Sequence, residues 1–194
     1  MSKRVFIVHG WGGHPEEGWF PWLKRELEAS GFEVGVPQMP EPERPRIQSW
    51  VPALGQAVGV PDEQTYFVGH SMGCQTVARY LESLPEGVRV GGAVFIGGFF
   101  KRLTGLEDNA EVQETDRHWL ETPLDFGKVK SRMMGRSIAI FSDDDPFVPL
   151  DNQDDFQEQL GSKIIIEHQR GHFSGSSGIT ELPIVLESVL DIAS

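Results

Sequence analysis

Apolar residues along this chain keep two rhythms. Short unbroken apolar runs occur at Arg4-Val5-Phe6-Ile7-Val8, Thr65–Val68, the GAVFIGG stretch within 88–98, and Ser137-Ile138-Ala139-Ile140-Phe141. Runs of this length without polar alternation predict strands covered on both faces. Phe32–Val36 and Lys163–Glu167 read as two more strands. Between them the spacing turns helical. Trp19, Phe20, Trp22, Leu23 and Leu27 recur before Gly31, Trp50, Leu54 and Val58 share one face of 47–58, and Met72, Val77, Tyr80, Leu81 and Leu84 run up to Pro85. A further helix ends at Gly161 and the last spans 181–193. Strands alternating with helices predict an α/β fold, a three-layer, doubly wound and mostly parallel sheet of about six strands. Two stretches break the rhythm. Prolines 37, 40, 42 and 45 keep the segment around 39–45 extended. From about 99 to 136 the pattern is lost, and a short cap-like insertion of one or two small helices is expected there. One domain over residues 1–194 is the simplest division.

The strand at Thr65–Val68 runs into Gly69-His70-Ser71-Met72-Gly73 and then a helix. Strand, G-x-S-x-G and helix in that order form a nucleophile elbow. So tight a turn leaves no room for side chains at the glycine positions, and it lifts Ser71 above the sheet. The Met72 N–H, at the helix start, then points to where an oxyanion would form. The pentapeptide alone is weak evidence; its setting gives it weight. The first strand ends in His9-Gly10-Trp11-Gly12-Gly13. This lacks G-x-G-x-x-G and a Walker lysine, and instead has the form of a loop that supplies a second oxyanion N–H, from Trp11.

Composition narrows the partners. A net charge of -12 over 194 residues argues against nucleic-acid backbones and anionic membrane surfaces. No apolar run approaches the ~18 residues of a membrane span, and no secretory leader precedes the first strand, so a cytoplasmic protein is expected. One cysteine excludes an internal disulfide, and Cys74 reads as a small buried hydrophobe. No metal or cofactor is expected, since no H-x-x-x-H or comparable ligand spacing occurs near His9 and His14.

Catalytic groups in such sheets collect at the carboxyl ends of strands. His9, Ser71, the acids Asp143, Asp144 and Asp145, and His172 all follow strand ends. The order serine, acid, histidine is that of the α/β-hydrolases. His172 is the candidate base, while His70, beside the nucleophile, reads as structural. His9 is expected to hydrogen-bond within the oxyanion loop. Pocket walls are sought among His9, Phe99, Phe100, Trp119, Phe147 and Phe173.

GWFPWLKREL at 18–27, the MPEPERPR loop, VGHSMGC at 68–74, SDDDPFVP at 142–149, GHF at 171–173 and ELPIV at 181–185 together resemble the YdeN-like family. These are small α/β-hydrolases that include relatives of retinoblastoma-binding protein 9. The resemblance covers nearly the whole chain. It implies a minimal α/β-hydrolase fold and a triad of Ser71, Asp145 and His172, with Trp11 and Met72 giving backbone N–H groups. Pro146 supports Asp145 among the three acids by holding it extended, out of the next helix. The L-x-C-x-E motif of the animal relatives is absent, since Met72 and Thr76 flank Cys74 at the required positions. The expected activity is therefore a serine hydrolase acting on a small-molecule carboxylic ester or amide through an acyl-enzyme. A non-catalytic binding protein on the same fold and an acyltransferase are the alternatives. Oligomeric state is not legible.

Overall fold

The computed structural model describes residues 2–106 and 110–194. Its sheet is β1 (Arg4–Val8), β2 (Glu33–Gly35), β3 (Thr65–His70), β4 (Gly92–Ile96), β5 (Ser137–Ser142) and β6 (Lys163–Glu167). Their spatial order is β2-β1-β3-β4-β5-β6, with every pairing parallel. The helices are α1 (Phe20–Ala29), α2 (Ile47–Val58), α3 (Met72–Ser83), α4 (Ala110–Glu121), α5 (Phe126–Arg132), α6 (Gln153–Asp155) and α7 (Pro183–Ile192). The short α6 runs on as a π-helical turn over Phe156–Leu160. None of the described helices is long and apolar enough to cross a membrane.

Strand side chains point alternately to the two faces, and this builds two separate cores. Val5, Ile7, Tyr66, Val68, Val94, Ile96, Ile138 and Ile140 pack with α1 and α7. Phe6, Val8, Phe67, Ala93, Phe95, Ala139 and Phe141 pack with α2, α3, α5 and the Phe156–Leu160 turn. Unbroken apolar runs were needed because both faces of the sheet are covered.

The 99–136 segment divides in two. Residues 99–106 run past the strand ends, and residues 107–109 of the expected cap lie outside the described residues. The two helices that follow are docked on the body of the fold. Val129 and Met133 of α5 and its C-terminus join the core, as does Trp119 of α4, whose indole N–H donates to the Pro45 carbonyl at 2.9 Å. Arg79 of α3 holds the end of α4 through the carbonyls of Trp119, Thr122 and Pro123 at 2.7, 2.8 and 3.2 Å. A cation on the last carbonyls of a helix satisfies acceptors that the helix itself leaves open.

His70, the last residue of β3, is buried with its ring edge-on to Trp19 and Phe20, at 6.0 and 6.1 Å between centroids. Burial holds its pKa down to about 3. In the unfolded chain an ordinary histidine takes up its proton near pH 6.5. Between those values the unfolded state binds one more proton than the fold. Stability conferred by this group therefore falls on acidification from about pH 6.5, by up to about 1.4 kcal/mol per pH unit. Buried His9, its pKa lowered by the same cause, acts in the same sense. Urea unfolding measured from pH 7 to 4.5 should thus show a slope that flattens by close to one proton in His70→Asn. An unchanged slope would mean that His70 is protonated inside the fold.

Candidate active site

The elbow is set by backbone crowding. Ser71 adopts φ 54 and ψ -119, a region side chains rarely enter. Its N–H donates to the Ile96 carbonyl at 2.9 Å, and its own carbonyl accepts the Cys74 N–H at 2.9 Å. A Cβ at Gly69 would stand 2.8 Å from the Cys74 nitrogen, and one at Gly73 would overlap the Val8 carbonyl. Both flanking glycines are thus required by contact with neighbouring backbone. Cys74 is buried, its thiol directed at the Gly69 carbonyl at 3.1 Å, and burial pushes its pKa up.

The loop after β1 crosses directly over Ser71. A Cβ at Gly10 would lie 3.0 Å from that of Ser71 and 3.5 Å from its Oγ. His9 fixes the orientation of this loop. The Met39 N–H donates to His9 Nε2 at 3.0 Å, so Nε2 is the unprotonated nitrogen. Nδ1 then carries the hydrogen and donates to the Gly10 carbonyl at 2.8 Å. In a trans peptide the N–H points opposite to the C=O. Holding the Gly10 carbonyl on one side therefore turns the Trp11 N–H to the other. The Trp11 and Met72 N–H groups have no hydrogen-bond partner among the described residues. Beyond them the loop is tied to the proline-rich segment, with Gly12 N–H on Pro42 O at 2.8 Å and the Trp11 indole on Glu43 O at 3.1 Å.

Asp145 and His172 meet from the ends of β5 and β6. Asp145 Oδ2 accepts from His172 Nδ1 at 2.8 Å, while its Oδ1 takes the N–H groups of Phe147 and Val148 at 2.9 and 3.0 Å. The carboxylate is almost closed to solvent, with a side-chain exposure of 2% against 12% for His172. With Nδ1 donating to a carboxylate, Nε2 is left as the acceptor. Gly97 runs beside this pair, where a Cβ would make ordinary contacts of 3.4 Å to the imidazole and 3.5 Å to Asp145 Oδ2, and its φ of 52 is what favours glycine. His70 is linked to the same loop. Its Nε2–H donates to the His172 carbonyl at 2.8 Å, so the residue before Ser71 holds the backbone of the histidine opposite it.

Ser71, Met72, Trp11 and His172 share one cavity of about 170 Å³. Its other walls are Phe99, Leu103, Leu106 and Phe147, so the interior is apolar. Past Trp11, Leu106 and Phe147 it adjoins a more polar cleft bordered by Glu43, Arg44 and Glu111, the last two paired at 2.6 Å. Of the residues sought as pocket walls, Phe99 and Phe147 line the cavity. The other four lie elsewhere, each for a packing reason. His9 is buried against Trp50, Phe100 packs edge-on to Phe126 and tilted against Phe156, Trp119 packs on Trp50, and Phe173 is buried with α1 and α7. Leu103 and Leu106 had no signal in the sequence, because they fall where periodicity is lost.

Residues 5–191 match the sequence profile of the serine hydrolase family. YdeN of Bacillus subtilis (strain 168) is 33% identical over 187 residues, covering 96% of this chain and 94% of its own. Its crystal structure superimposes with a TM-score of 0.88 over 98% of both chains. The serine hydrolase RBBP9 of Rattus norvegicus is 27% identical, with 97% and 96% of the two chains covered. A structure from work on carboxylesterases of the thaumarchaeon Nitrososphaera gargenis shares the fold, at a TM-score of 0.72 and 14% identity over 99% and 91% of the chains. With an α/β-hydrolase sheet and a family match along almost its full length, this chain belongs to the serine hydrolase family.

Proposed function

We propose that the protein hydrolyses carboxylic esters or small amides with short apolar acyl groups, through an acyl-enzyme on Ser71. The observation that carries this reading is the Asp145–His172 hydrogen bond, which leaves Nε2 free in the same cavity as the strained Ser71. In the forward step His172 Nε2 takes the Ser71 proton as Oγ attacks the carbonyl carbon. The carbonyl oxygen becomes an oxyanion, met by the Trp11 and Met72 N–H groups. Collapse breaks the bond to the leaving alcohol or amine, which receives its proton from His172. Water, deprotonated by His172, then attacks the acyl carbon and restores Ser71. Asp145 keeps the proton on Nδ1 and stabilises the imidazolium that forms at each stage. A preformed oxyanion site matters nearly as much as these side chains, since one donor is typically worth about 3–4 kcal/mol at the transition state.

The cavity's size and lining support a short acyl group. At about 30 Å³ per small group, comparable to the share of a water molecule, 170 Å³ takes roughly five or six non-hydrogen atoms. The polar cleft beyond Trp11 suits a leaving group of mixed polarity.

Fluorophosphonate should label the wild type, and Ser71→Ala should lose both labelling and p-nitrophenyl ester turnover with its fold intact. Labelling that persists in the variant rules out Ser71 as nucleophile. Asp145→Asn should keep the geometry but favour the wrong imidazole tautomer, with kcat lower by on the order of 10⁴. A value near wild type would move the acid to another residue. Across p-nitrophenyl esters, kcat/KM should peak at about two to six acyl carbons, since each further methylene needs apolar wall worth about 0.8 kcal/mol. A steady rise to twelve carbons would contradict the small cavity.

A further inference from the structure

Three side chains ahead of Asp145 bind the loop that carries His172, each through a different backbone amide. Ser142 Oγ accepts the Arg170 N–H at 3.0 Å, Asp143 Oδ1 accepts the Gln169 N–H at 3.0 Å, and Asp144 Oδ1 accepts the Gly171 N–H at 2.8 Å. The Ser142 hydroxyl donates in turn to Asp144 Oδ1 at 2.7 Å, which joins two of these acceptors. Asp143 Oδ2 also meets His168 Nδ1 at 2.5 Å, at the start of the same loop. Four consecutive residues, Ser142 to Asp145, therefore grip four consecutive residues, Gln169 to His172.

The loop is one that needs holding. Gln169, Gly171 and Phe173 have φ of 56, 53 and 54. Two of these are not glycine, and such conformations persist only when the surroundings impose them. Hydrogen bonds from backbone N–H to carboxylate are among the stronger ones available to do so. The pKa values support this placement. Asp143 is held below the usual carboxylate value first by His168 and next by the Gln169 N–H, and Asp144 first by Ser142 and next by the Gly171 N–H. On the far side the His172 carbonyl is held by His70 and the Phe173 carbonyl by the Trp19 indole at 2.8 Å.

We propose that Ser142, Asp143 and Asp144 are positioning residues for the hydrolytic reaction, setting the pose of His172 towards Ser71 by fixing the amides of Arg170, Gln169 and Gly171. This inference rests on the function proposed above. Asp144 has the central place, because it binds the residue next to His172 and is itself bridged by Ser142. What it supplies is an acceptor at a fixed point, and an asparagine oxygen there accepts the same two bonds.

The test compares Asp144→Ala with Asp144→Asn, reading kcat and KM on a short p-nitrophenyl ester, thermal melting, and the rate of fluorophosphonate labelling. Misplacing a catalytic group by about 1 Å costs on the order of 10² in rate. Asp144→Ala should therefore lose about 10²-fold in kcat and in labelling rate, with little change in KM, and Asp144→Asn should recover most of that loss. Should Asp144→Ala fail to fold, the exposed Asp143 allows the same comparison through Asp143→Ala and Asp143→Asn, with a loss of about tenfold that the asparagine restores. With the wild type active and labelled, a folded alanine variant near wild-type kcat, or an asparagine variant as poor as the alanine one, overturns the positioning role alone. A wild type that neither labels nor turns over ester overturns the hydrolytic reading, and the role falls with it.

Discussion

The α3 backbone at Gly73 comes so close to the end of β1 that a methyl group would overlap the Val8 carbonyl and stand 2.8 Å from that of His9. This approach is the constraint on which the site depends. It fixes the first turn of α3 beneath the loop after β1 and bends the chain at Ser71 into its positive φ. It also sets Trp11 and Met72, from separate elements, on the wall of one cavity. A side chain at residue 73 would separate β1 from α3, and the donors at Trp11 and Met72 would part together. Strain at Ser71 is tolerated because β3, α3 and the Ile96 carbonyl leave it no alternative.

Around that fixed point, the mobile parts of an ordinary loop have been removed one hydrogen bond at a time. Gly10 is oriented by His9, His172 by Asp145 and His70, and the chain between them by the proline-rich segment and the Ser142–Asp144 run. A buried neutral histidine is suited to such work. His9 and His70 each offer one donor and one acceptor, and neither adds charge beside the His172 imidazole. Under the proposed mechanism, preorganisation of this kind lowers the reorganisation that would otherwise accompany charge formation. The stability cost appears at low pH, where burying neutral histidines favours the unfolded chain.

The strand runs, the helical spacing of Trp19 to Leu27 and of Trp50 to Val58, and the glycine pair around Ser71 were legible in the amino-acid sequence. Each is a local rule: alternation of faces, the 3.6-residue period, or a turn that admits only glycine. For the same reason Ser71 and His172 stood out, one by its turn and the other by following the last strand. Tertiary structure decided what depends on residues far apart in the chain. Phe100, Trp119 and Phe173 have the character of pocket walls, yet Trp119 and Phe173 are buried in the two cores and Phe100 packs against one of them, and Leu103 and Leu106 line the cavity instead. Asp143 and Asp144 read in the sequence as solvated carboxylates or as partners for backbone N–H groups of their own turn, and only the pairing of β5 with β6 sets them against the amides of residues 169 and 171. The parallel register that carries residue 142 to residue 167 determines which acid reaches which group, and that register is a property of the assembled sheet.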